Sequence, residues 1–158
     1  MPENEVIPEL ENTFKEVLTD DVLKNALDFM EFLRVNEIVQ IGKYEMKYKN
    51  ECVCYIDTRN EQHSWIVWTA GDYSNECKNF PIDDQTKEIA WIHANKCGNC
   101  EGTDCKPGKT KIIFGKEFTN ICCGAEVDMY FKNPDADTLK GLMKLILMRK
   151  NIINNNIR

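Results

Sequence analysis

Long apolar runs are missing from this chain, and with them the raw material of a membrane-spanning helix. The amino terminus has no positively charged stretch leading into an apolar one, because Glu3, Glu5, Glu9 and Glu11 crowd it; a cytoplasmic protein is the expectation. An excess of basic residues is absent too, and a formal net charge of −6 argues against broad capture of a nucleic-acid backbone. Histidine is scarce, His63 and His93 being the two. There is no phosphate-cradling glycine loop, no G-x-S-x-G elbow and no H-E-x-x-H pair, so the chain shows no enzymatic mechanism and no catalytic residue is assigned. Internal repeats and Gly/Ser linkers are also lacking, and residues 1–158 are expected to form one domain around one core.

Cysteine, by contrast, is plentiful. In a reducing compartment eight cysteines point to metal ligation or free thiols rather than to a disulfide framework. Three of them, Cys97, Cys100 and Cys105, fall in the segment C-G-N-C-E-G-T-D-C-K-P-G-K-T-K, which has almost no apolar residue and so has no core of its own to bury. A Cys-x2-Cys turn places two sulfurs on one ion, Gly98 and Asn99 suit that turn, and Cys105 can reach a third corner. The expected fourth ligand is Cys122. Cys123 is the neighbouring alternate, pointing to the other face of its strand, and His93 is the second alternate, sharing a helical face with Cys97 if the preceding helix continues that far. Four protein ligands leave no place for water, so the expectation is one structural zinc ion per chain in a loop at about 97–123.

Rival readings of the same thiols are unligated cysteines, an iron–sulfur centre, or a thiol–disulfide redox pair at Cys97 and Cys100. The redox reading lacks its usual setting, because here the pair follows a helix rather than opening one. Cys52 and Cys54, two apart on one strand, are expected to share a face as small buried hydrophobes, and Cys77 stands alone in a loop.

The elements follow from periodicity. Residues 17–36 carry Val22, Leu23, Ala26, Leu27, Met30 and Leu33 at helical spacing, with Thr19 as N-cap, Asp20 and Asp21 in the first turn, and a short separate helix around Phe14. Tyr44, Met46 and Tyr48 alternate with charged residues as a strand, and runs 52–57 and 64–69 complete a three-stranded meander. A loop over 73–81 leads to a helix from Asp83 or Asp84 to about Asn95. Strands over 111–114 and 118–123 pair across Gly115-Lys116, another covers 125–131, and a helix over 135–153 buries Leu139, Leu142, Met143, Ile146 and Leu147. Its basic cluster Lys140, Lys144, Arg149 and Lys150 reads as a solvated face, and 154–158 as a frayed end. The predicted class is α+β, with an antiparallel sheet of five to six strands covered by three main helices and a Cys-rich loop.

Tyr44, Tyr48, Trp65, Trp68 and Trp91 are candidates for an aromatic pocket, which would make the chain a sensor of a small hydrophobic compound. Trp65 and Trp68 differ by three on a strand and should point to opposite faces. The run I-F-G-K-E-F brings Lys116 and Glu117 to a hairpin near the Cys-rich loop. With C-G-N-C, C-K-P-G, that run, the following Cys122 and the closing F-K-N-P-D-A-D-T-L-K-G-L, residues 89–153 resemble a group of small uncharacterised bacterial proteins with the same loop. That resemblance implies Cys97, Cys100, Cys105 and Cys122 as the shared thiols. The order of elements is similar to YdhG-like domains of unknown function. The functional expectation is a binding or regulatory module acting on a protein or small molecule, with neither membrane nor nucleic acid as partner.

Overall fold

The computed structural model describes residues 10–70, 82–96, 108–121 and 127–156. Two helices open the chain, α1 (Leu10–Val17) and α2 (Asp20–Val35). Four strands follow, β1 (Val39–Ile41), β2 (Glu45–Tyr48), β3 (Glu51–Arg59) and β4 (Ser64–Ala70). After α3 (Asp84–Ile92) come β5 (Lys109–Ile113), β6 (Lys116–Ile121), β7 (Val127–Lys132) and the long closing helix α4 (Ala136–Asn156). One antiparallel sheet runs in the order β1-β2-β3-β4-β7, and β5 and β6 form a hairpin of their own. The class is α+β, as the alternation of periods predicts.

The helices cover one face of the large sheet because each carries an apolar stripe that burial removes from water. Phe14 of α1 and Phe29 of α2 close on Trp65 of β4, with ring centroids 5.5 and 5.7 Å from the indole, and all three side chains are fully buried. Met46, Ile56, Val67, Met129 and Phe131 complete the sheet side of this core. Trp68, three residues on from Trp65, lies on the opposite face against Tyr130, as the period of two requires. Asn133 ties β4 to the end of β7, its side-chain oxygen accepting from Trp65 N and its own N–H donating to Trp65 O, both at 3.0 Å.

Several local expectations are corrected. The α4 stripe includes Leu145 and leaves Leu147 exposed, because this helix meets α2, α3 and β3 at once and its buried arc is wider than one stripe. The end of α4 extends past Ile153 and is held at Asn154, whose Oδ1 accepts from the Tyr48 hydroxyl at 2.9 Å and from Lys49 Nζ at 2.8 Å. Thr19 occupies the N-cap of α2 without a side-chain cap bond. A β-bulge at Val53 makes Met46 pair with Cys54 and its neighbour Lys47 with Cys52, so the two cysteines take opposite faces instead of sharing one. The β5–β6 turn falls at Phe114-Gly115, both at positive φ, one residue earlier than expected; burying Phe114 in the core outweighs the usual turn preference. The loop over 73–81, with Cys77, lies outside the described residues.

Candidate metal centre

The route of the chain toward the Cys-rich loop is set by α3. Asp83 caps it, its carboxylate accepting from Thr86 N at 2.7 Å, and bonds from Lys144 first and Thr86 second hold that carboxyl well below the usual carboxylate range. The helix ends at Ile92 and His93 is its C-cap, so the helical face that His93 and Cys97 were expected to share does not form. From His93 the backbone turns extended and docks along β7. Tyr130 N donates to His93 O at 2.8 Å, and Asn95 N donates to Asp128 O at 2.9 Å.

Single-residue bridges then join the two sheets. Ala94 pairs with Met129 of β7, and Lys96 pairs antiparallel with Ile121 of β6. Ile121 also pairs with Lys109 of β5 on its other side. The residue before Cys97 and the residue before Cys122 are therefore direct neighbours, and Lys109, which follows the segment 97–107, pairs with the same Ile121. Gly108 makes that return close: a Cβ on it would stand 2.4 Å from Asn120 Cα and 2.5 Å from Asn120 C, both backbone atoms. With strands about 4.8 Å apart, Lys96 and Lys109 are separated by roughly two strand spacings. Cys97, Cys100, Cys105, Cys122 and Cys123 themselves lie outside the described residues.

The surroundings of this junction are cationic and aromatic. Lys96 and Lys109 flank Ile121, and Lys111 Nζ stands 3.9 Å from a carboxylate oxygen of Asp128, a buried residue. Beside it a depression of about 330 Å³ is lined by Glu88, Trp91, Ile92, Lys96, Lys116 and Phe118. Trp91 Nε1 donates to Ile113 O at 2.7 Å, and the Lys116 ammonium lies 5.4 Å from the Trp91 ring and 5.5 Å from the Phe118 ring. His93 stacks on Phe131 with centroids 4.5 Å apart, and its Nδ1 is 2.7 Å from Ile89 O. A carbonyl only accepts, so Nδ1 carries a proton and the lone pair of the neutral ring is on Nε2.

The aromatic candidates are dispersed. Tyr44 is exposed beneath Lys43, Tyr48 is buried against the end of α4, Trp65 is in the core, Trp68 is on the opposite sheet face and Trp91 borders the hairpin. Burial pushes the thiols of Cys52 and Cys54 up, which makes both poor sources of thiolate and fits their reading as packing groups. Among the described residues no three His, Cys, Asp or Glu side chains converge as a metal-binding group, and no helix is long and apolar enough to cross a membrane. Sequence reasoning missed Gly108 and Asp128. Asp128 sits at an alternating strand position that reads as solvent-facing, whereas Gly108, next to Pro107, reads as an ordinary turn residue. Compared with known proteins, the chain matches no family model, no curated protein and no solved structure.

Proposed function

We propose that residues 97–123 hold one structural zinc ion through Cys97, Cys100, Cys105 and Cys122, and that the chain is a binding or regulatory module. The observation that supports this is the bridge between Lys96 and Ile121, with Lys109 on the other side of Ile121. It holds Lys96, which precedes Cys97, against Ile121, which precedes Cys122, so a metal ring linking the two groups would close over a short chain separation and cost little additional chain entropy. Lys96 and Lys109 suit the site electrostatically, because zinc with four thiolates carries a net charge of about −2. Cys122 is favoured over His93, since it directly follows the bridged Ile121, whereas His93 is held by Ile89 and Phe131. Cys123 is the remaining alternate.

A four-ligand ion leaves no open position for a reacting water, so its contribution is folding energy and the module's function is recognition. Elemental analysis of untagged protein should find one zinc per chain. Cys105→Ser should release it and lower the melting temperature, whereas with free thiols the same change does neither. Reduction of a disulfide substrate that disappears in Cys100→Ser would establish the redox alternative instead.

A further inference from the structure

Between α3 and the β5–β6 hairpin, apolar side chains are held beside charges that have no counterion of their own. Trp91 is fixed by the bond from its Nε1 to Ile113 O, and Phe118 stands on the same face of β6 as Lys116, two residues away. The Lys116 ammonium is within 5.5 Å of both the Trp91 and the Phe118 ring, so two aromatic faces draw the same cation. Ile92, the last residue of α3, borders the same depression and is 75 % exposed. Lys96 completes the wall, its backbone pinned by the bridge to Ile121. Of the five aromatic residues singled out in the sequence, Trp91 alone lines this space.

The charges of the lining are the Lys96 and Lys116 ammoniums and the Glu88 carboxylate, all three exposed and in no ion pair among the described residues. Glu88 therefore neutralises neither lysine at close range, and the lining keeps a surplus of positive charge. The lysines are not needed to close α3 either, because His93 N donates to Ile89 O and Ala94 N to Trp91 O. At about 330 Å³ the depression is at the small end of ligand sites, which run from roughly 300 to 1,000 Å³, and it suits one or two fused rings. A flat apolar body can lie against Trp91, Ile92 and Phe118 while an anionic group on its rim meets the two ammoniums. A neutral ring of the same size gains only the apolar half of these contacts.

From this lining we infer that the depression between α3 and the hairpin is a binding site for a small planar organic anion, an aromatic ring system bearing a carboxylate. The site goes beyond the zinc reading and does not depend on it, since none of its groups is a proposed zinc ligand. A shallow, exposed site for so small a molecule binds weakly, with a dissociation constant on the order of 0.1–1 mM.

Titration of the full chain with naphthoate, followed in proton–nitrogen correlation spectra, should saturate, with shifts concentrated at the Trp91 indole N–H and the amides of Ile92, Lys96, Lys116 and Phe118. Naphthalenemethanol, the same rings without the charge, should bind about five- to tenfold more weakly. Replacing both Lys96 and Lys116 by Gln should cost a similar factor with the spectrum of the free protein otherwise unchanged. Lys15→Gln combined with Lys43→Gln removes the same charge from two exposed residues outside the depression and should bind as wild type. Glu88→Gln should tighten binding about two- to threefold, because it removes the like charge from the lining. No saturable binding up to about 10 mM, shifts centred elsewhere, equal affinity for the alcohol, a Lys96, Lys116 double variant no weaker than the Lys15, Lys43 one, or weaker binding by Glu88→Gln would each overturn the proposal.

Discussion

Replacing Gly108 by alanine tests the junction on which the metal reading rests. The added Cβ would meet Asn120 Cα at 2.4 Å and Asn120 C at 2.5 Å, where carbon atoms need about 3.5–4 Å, so the start of β5 must move from β6 by more than about 1 Å. Neither contact atom belongs to a side chain that can swing away, and the Lys109–Ile121 pair lies next to the collision. Overpacking of this kind costs about 1–3 kcal/mol, and in a domain of this size each kcal/mol lowers the melting temperature by roughly 2–4 °C. Gly108→Ala is therefore expected to melt about 2–12 °C below wild type by circular dichroism. If the proposed zinc is bound, it should also be given up to a chelator more readily, because the Lys109–Ile121 pair at the exit of the cysteine segment is displaced. Gly115→Ala is the control: its Cβ meets nothing within 4 Å, and the penalty is the left-handed backbone at φ +84, about 1–2 kcal/mol, with zinc retention unchanged. A Gly108→Ala protein with wild-type melting and wild-type zinc retention would refute the close approach and the reasoning built on it.

Phe14→Ala should lose about 3–5 kcal/mol in urea unfolding, because the ring is fully buried edge-on to Trp65; a loss below about 1 kcal/mol would mean that α1 does not seal the sheet. Trp91→Phe removes the donor to Ile113 O and should cost about 1–3 kcal/mol by the same assay, leaving a buried carbonyl without its partner. Asp83 and Asp135 both have carboxyl pKa values held below the ordinary range, Asp83 by Lys144 and Thr86 and Asp135 by Thr138. A depressed carboxyl stabilises the fold above its unfolded pKa and loses that contribution as pH falls through its folded pKa. The wild-type melting temperature should therefore drop from about pH 4 downward more steeply than that of the Asp83→Asn, Asp135→Asn double variant, which keeps both caps. Parallel pH curves would count against the two capping carboxylates.

The elements were legible because their signals are local. The apolar stripe of α2, the alternation of Met46 and Tyr48, the capping pattern at Asp83 and the opposite faces of Trp65 and Trp68 each depend on residues within a turn or a strand of one another. The cysteine spacing proposes a ligand set on the same local terms. Pairings between distant segments carry no such signal. The bridge from Lys96 to Ile121 and the close pass of Gly108 over Asn120 are decided by how β5 and β6 meet each other and the extended stretch after α3, and the bulge that separates Cys52 from Cys54 by how β3 pairs with β2. Short β1 escaped notice for a related reason: three residues are too few to display a period, and Val39–Ile41 becomes a strand by pairing with β2. Sequence determined which segments are helix or strand and which residue types can bind a metal, since backbone preference and side-chain chemistry travel with each residue. Tertiary structure decided which of those segments adjoin, because adjacency is set by the packing of the whole core.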